Sequence, residues 1–299
     1  MTIIKKLLHR HNIVLQKGQH LHIFTQLIWN HLLLIKLKIF KVAHGILHPI
    51  VHYYAVCWNE EKILPFMFDY YDKFVDHYTI YDNYSNDNSI SLIKQHSNTK
   101  IILFGNANEF NDKDNKNIKN NCWKHSRGKA DFVVVCDIDE FLYHPEINKL
   151  LNQLYTENIS FPTTKGYEMY SDTFPVHNRR YLLTDLIQKG VRSEWLDKHI
   201  LFNPHKIVET NFAPGAHQAN PTGIVKYDLP ATELKVLHYK NIGLDYLESR
   251  YRQLGERLSS FNREKGLGLH YLSKQEEIEE QFTTGLQSAE NVVNKILTI

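Results

Sequence analysis

KADFVVVCDIDEFL, residues 129–142, decides the fold. Its Phe132 to Cys136 run is unbroken, apolar and rich in β-branched side chains. That is the composition of a strand buried on both faces, as in a parallel sheet covered by helices. Asp137, Asp139 and Glu140 follow directly. In an open α/β sheet, ligands collect beyond the carboxyl ends of the strands, so the three acids fall where chemistry is done. Asp137 and Asp139 are two residues apart. They can converge on one hard cation if the backbone turns between them or if one acts through water. A divalent metal bridging diphosphate oxygens is the usual reason to place acids this way. A polar loop closing a strand is the plainer alternative.

The flanking sequence repeats the pattern. Residues 52–57 read as a strand ending at Trp58, Asn59, Glu60 and Glu61, and residues 64–74 as a helix with Pro65 in its first turn, where proline is tolerated. HYTIYD is a second strand, running out into Asp82, Asn83, Tyr84 and Ser85. Strand, helix, strand, with polar groups at each carboxyl end, is the start of a nucleotide-binding α/β half. Asp82 can accept hydrogen bonds from a base or ribose. A turn rich in Asn, Asp and Ser explains the same residues through local backbone bonds. Residues 105–119 read as a polar loop and 120–128 as a helix offering Asn121, Lys124 and Arg127 to phosphate, with a solvated helix face as the rival reading.

Composition sets the frame. The chain of 299 residues, 42% hydrophobic and 23% charged, is large enough for one α/β domain with extensions, and a net charge of +2 points to no nucleic-acid partner. Charge is uneven, however. Residues 1–59 hold seven Lys and Arg and no acid, leaving 28 basic against 33 acidic side chains beyond. Within residues 1–48, Phe24, Ile28, Leu32, Ile35 and Ile39 recur at helical spacing. Such a helix suits an anionic membrane surface or the side of the main domain equally well. Asn30, His31, Lys36 and Lys38 break the stretch, so a clean spanning helix is not expected, nor a cleaved leader. Three unpaired cysteines argue for a reducing, cytoplasmic location, at the membrane surface if the N-terminal helix binds lipid.

Four segments in order carry a resemblance: WNEEKILP, YDNYSND, CWKHSRGKADFVVVC and DIDEF. Together they resemble the family 2-type glycosyltransferases of the GT-A fold, over about residues 53–270. The resemblance implies an α/β, mostly parallel sheet flanked by helices. It divides the chain into a basic N-terminal extension (1–48), a glycosyltransferase domain (49–272) and a helical tail (273–299). It implies transfer from a nucleotide sugar, a UDP-sugar first, to a glycan or lipid-linked hydroxyl, with inversion and with Mn2+ or Mg2+. Asp137 and Asp139 would be the metal motif, with His238 or His217 as a late metal ligand. Asn59, Glu60, Asp82, Asn83, Asn121, Arg127 and Asp137 would lie at the nucleotide. The catalytic base would be Asp172, with Glu194 and Asp197 as alternatives, because inversion needs a carboxylate to take the acceptor proton. The helix expected over residues 244–258 carries Arg250, Arg252 and Arg257, which read as a solvated face, with phosphate-facing cations as the alternative. A nucleotidyltransferase and a silent nucleotide- or glycan-binding module are the competing functions.

Overall fold

The computed structural model describes residues 13–14, 20–227 and 233–293. Strand β1 (Ile13–Val14) and helix α1 (His20–Ala43) come first. Then β2 (Val51–Cys57), α2 (Leu64–Tyr71), β3 (His77–Asp82), α3 (Ser89–Gln95), β4 (Thr99–Leu103), α4 (Asp112–Asn121) and β5 (Phe132–Asp137) alternate. Next come β6 (Glu140–Tyr143), α5 (Ile147–Thr156), β7 (Lys165–Ser171), α6 (Leu183–Leu186), β8 (Lys189–Arg192), β9 (Leu201–Phe202), β10 (Ile207–Glu209) and β11 (Thr222–Ile224). The last are β12 (Lys235–Ile242), α7 (Leu244–Glu256), α8 (Ser260–Lys265), α9 (Gln275–Ser288) and β13 (Glu290–Asn291).

The alternating half forms a sheet in the order β4-β3-β2-β5-β9, parallel except for β9. Its β5 is the expected doubly buried strand: Phe132 to Cys136 are each at most 1% exposed. A second, mixed sheet runs β13-β8-β7-β12-β6, with β7 and β12 parallel and the other pairs antiparallel. Only Ile138 and Asp139 separate β5 in the first sheet from β6 in the second, so the acid turn is where the chain crosses between sheets. Ile138, 1% exposed, plugs that turn into a core shared by both sheets, which includes Tyr71, Phe141, Leu237 and Tyr239. A third, small antiparallel sheet joins β1, β11 and β10.

Two local expectations change. Half of the expected polar loop is helix α4, because Asn111 caps it by accepting from the Lys113 N–H, and Asp112 and Asp114 face the positive end of its dipole. The helix expected over 120–128 ends as a single 3-10 segment, Cys122–Ser126. The C-terminal tail folds back: Ile278 and Phe282 of α9 pack on Leu247 and Tyr251 of α7, and β13 pairs with β8. Helix α1 packs on the domain through one face. Its Ile23 and Leu27 meet Val208 and Ile224, Leu37 meets Ile50 and Ala130, and Lys41 Nζ lies 2.6 Å from Asp131 in a buried pair.

Candidate active site

A cleft of about 680 Å3 opens over the carboxyl ends of β2 and β5 and is closed by β7, β12, α7 and the loop around Gly268. That volume is in the range of pockets that hold cofactors and substrates. The acid turn sits in its wall. Asp137 closes β5 and meets Lys119 of α4, with Nζ 2.7 and 2.8 Å from its two carboxylate oxygens. Lys198, just ahead of β9, ion-pairs with Glu140 and lies 4.0 Å from Asp137. Burial alone would strip the charge from Lys119, and Asp137 and Glu140 instead hold it protonated, above its ordinary range.

The second sheet brings the remaining groups by register. His238 of β12 lies opposite Glu140 on β6 and opposite Glu168 on β7, so the three side chains share a face. The Tyr239 N–H donates to the Asp139 carbonyl at 2.8 Å and pins the turn against β12. His238 Nε2 is 3.2 Å from Asp139 and Nδ1 is 2.9 Å from Glu168. Burial works against the imidazolium, yet the two carboxylates hold the His238 pKa well above its ordinary value. Asp139 is held below the usual carboxylate range: burial opposes its charge, and His238 overcomes that.

Helix α7 supplies the far wall. Arg250 pairs with Glu60 at 2.5 Å and donates to the Trp58 and Asn59 carbonyls at 3.2 and 2.9 Å. Burial opposes the Arg250 charge, but Glu60 together with Tyr246 and Asp139 outweighs it, so the guanidinium sits above its ordinary pKa. Arg257 lies 3.8 Å over the Trp58 ring, a cation–π contact, and donates to Asn83 Oδ1 at 2.7 Å. These two arginines point into the fold, which corrects the solvated reading of that helix. At the mouth of the cleft, Trp195 is 65% exposed and stacks on His217 with ring centres 4.3 Å apart. Burial and nearby Lys198 push His217 down to about 4, so its ring is neutral at ordinary pH.

Of the residues singled out in the sequence, Glu60, Asn83, Asp137, Asp139, Glu140, His217, His238 and Arg250 line the cleft. Asp82 lies beneath it, fully buried, with its two oxygens accepting from the Ser85 N–H and Oγ at 2.8 and 2.6 Å. That is the local turn chemistry weighed as its alternative. Asn59 exchanges hydrogen bonds with Asn86, and Asn121 bonds Asn117 and Lys124 on the exposed side of α4. Arg127 is spent on the carbonyls of Pro204, Ile207 and Val208. None of the three acids expected as base lines the cleft. Asp172 is exposed past the end of β7, and Glu194 is exposed in the 3-10 segment Glu194–Leu196. The Asp197 carboxylate accepts from the Gly166 N–H and from Arg192, at 2.8 and 2.6 Å.

Glu168, Lys119, Lys198 and Lys240 line the cleft and were not picked out in the sequence. One signal was present for Lys119. Asp112, Asn115 and Lys119 all face the cleft, at the i, i+3, i+7 spacing of one helix face.

Comparison with known proteins gives distant structural likenesses. The S. aureus TarS 1–349 structure matches at 8% identity and TM-score 0.35 over 69% of this chain and 64% of that one. The longer S. aureus TarS structure matches at 10% and 0.35, over 78% and 43%. Glucosyl-3-phosphoglycerate synthase from Mycobacterium tuberculosis, in complex with phosphoglyceric acid, matches at 16% and 0.27, over 44% and 46%. The chain spans less than two thirds of each of these solved chains. No curated protein sequence matches. The family model is decisive, because it covers residues 52–294 and so the whole cleft. The resemblance to family 2-type enzymes therefore resolves to a different numbered family, and the chain belongs to glycosyltransferase family 92.

Proposed function

We propose that the protein transfers a sugar from a UDP-sugar to a hydroxyl of a glycan or lipid-linked acceptor, with inversion, using Mn2+ or Mg2+. The observation that carries this reading is the acid turn, held at the strand ends between two buried lysines on one side and the His238–Glu168 pair on the other.

The donor set suits such a cation. Asp137 and Asp139 are hard oxygen ligands, and an imidazole is acceptable beside them. Glu168 lies beside Nδ1 and Asp139 beside Nε2, so the ring sits between two carboxylates, as metal-binding imidazoles do when a carboxylate flanks their far nitrogen. The two carboxylates also hold a proton on His238, which a cation bound there would have to displace. Among the described residues no three such side chains form a ready-made cage, so a cation would displace Lys119 from Asp137 or the proton from His238. When bound, the cation would help neutralise the departing diphosphate.

The chain's own groups do the rest. Lys119 and Lys198 would offer fixed positive charge to the phosphates in a desolvated wall, where it acts most strongly. Trp58, backed by Arg257 and next to Asn83, would offer a flat face and polar groups to the base. The test is a donor screen with manganese, reading UDP or another nucleoside diphosphate released from a panel of nucleotide sugars. Release with one donor, lost on chelation, is the expected result. Pyrophosphate release would instead identify a nucleotidyltransferase, and nucleotide binding without release from any donor a silent module. With an acceptor in hand, proton NMR of the product's anomeric centre tests inversion.

A further inference from the structure

Helix α1 has two apolar faces, and the domain covers only one. The stripe legible in the sequence is the uncovered one: Phe24, Ile28, Leu32, Ile35 and Ile39 are between 43% and 65% exposed. Trp29 beside them is 58% exposed. The inward face is instead built from Ile23, Leu27, Asn30, Leu37 and Lys41, each at most 9% exposed. Isolated exposed leucines need no explanation, but a continuous stripe along a 24-residue helix does.

Three occupants compete for that stripe. Spanning a bilayer fits the helix's length and hydropathy, since residues 21–43 have a mean hydropathy of 1.3 in their most apolar window. Spanning would, however, strip Ile23, Leu27 and Leu37 from their partners and leave Lys41 and Asp131 unpaired. A second copy of the chain would bring like charges together, because Lys36 and Lys38 are exposed and residues 1–59 contain no acid to answer them. An anionic lipid surface answers both objections. It takes up the apolar stripe, complements the exposed Lys36 and Lys38 of a segment that holds no acid, and leaves the inward packing and the Lys41–Asp131 pair intact.

We propose that α1 lies flat in the headgroup region of an anionic bilayer. Its inward face stays bolted to the domain, while Trp29 and the Phe24–Ile39 stripe reach the acyl boundary. The inference is independent of what the cleft transfers.

The full chain would be sedimented with vesicles of phosphatidylcholine alone and of phosphatidylcholine mixed with phosphatidylglycerol. Pelleting with the mixed vesicles only is expected. The combined Ile28→Glu, Leu32→Glu, Ile35→Glu variant, at exposed positions, should keep its thermal unfolding curve and bind at least roughly tenfold more weakly. Lys36→Glu with Lys38→Glu leaves the stripe intact and should also cost roughly tenfold or more through lost charge attraction. No pelleting with anionic vesicles, or pelleting that both variants leave unchanged, overturns the proposal. Resistance to alkaline carbonate extraction would overturn it in favour of a spanning helix. A dimer in sedimentation velocity that the triple variant dissolves would overturn it in favour of a second copy.

Discussion

The cleft has two walls made by different means. In the parallel sheet, each site group follows its own strand in the sequence: Glu60 after β2, Asn83 after β3, Asp137 at the end of β5. In the mixed sheet, Glu168 and His238 lie within strands and meet only because β7, β12 and β6 pair in one register. The first wall is a product of local sequence and the second of long-range pairing. A one-residue slip of β12 would turn His238 to the other face, away from both Glu140 and Glu168.

The sharpest way to break this comparison is at the point where the walls touch. Asp139→Asn keeps the shape of the turn but removes the charge that faces His238 across 3.2 Å. Donor-dependent release of nucleoside diphosphate should fall roughly a thousandfold, as when a preorganised charged partner is lost from a desolvated site. Activity within a few fold of the parent would remove the acid turn from the chemistry.

The same division explains what could be read beforehand. The parallel half was legible because buried strands are continuous apolar runs and their exits are polar. Asp137, Asp139, Glu60 and Asn83 come straight from that pattern. Asp82 fits the same pattern and Arg127 lies among the cations just ahead of β5, yet Asp82 caps its own turn and Arg127 ties down the segment 204–208. Residue type and position do not say whether a polar group is already satisfied by its neighbours. Glu168 was illegible for a different reason. Nothing near it in the chain announces that β12 will lie alongside. The α1 stripe was visible, but periodicity alone could not say which face the domain would take.

Lys119→Met tests whether the first wall competes with a metal for Asp137. It keeps the bulk of a buried side chain and removes the ammonium that lies 2.7 Å from the carboxylate. Turnover should fall about a hundredfold if Lys119 also meets the diphosphate. The manganese concentration for half-maximal activity should fall as well, because Asp137 is released. A loss of turnover with an unchanged manganese requirement would leave Lys119 as a phosphate contact alone.

Glu168→Gln is the matching change in the second wall. It keeps a hydrogen-bonding side chain beside His238 Nδ1 but removes the charge that orients the ring. A positioning role predicts a manganese requirement raised about tenfold or more, with rate largely restored at saturating metal. A rate that stays down at saturating manganese would instead put Glu168 at the reacting atoms.

The smallest effect on activity is expected off the cleft, at Arg127. Its guanidinium donates to three carbonyls at 2.8 to 3.1 Å and lies 5.0 Å over the Trp123 ring. Burial pushes its pKa down to about 10, the mark of a cation held for its hydrogen bonds in a poorly solvated place. Arg127→Met leaves those carbonyls short of a donor, which should cost about 1–3 kcal/mol in denaturant unfolding. Activity per folded molecule should stay within about twofold, as for a residue away from the reacting groups. A large fall in nucleotide affinity with unchanged stability would reverse the assignment. It would carry the phosphate site across the 3-10 segment to the far side of β5, and the two-walled description of the cleft would fail with it.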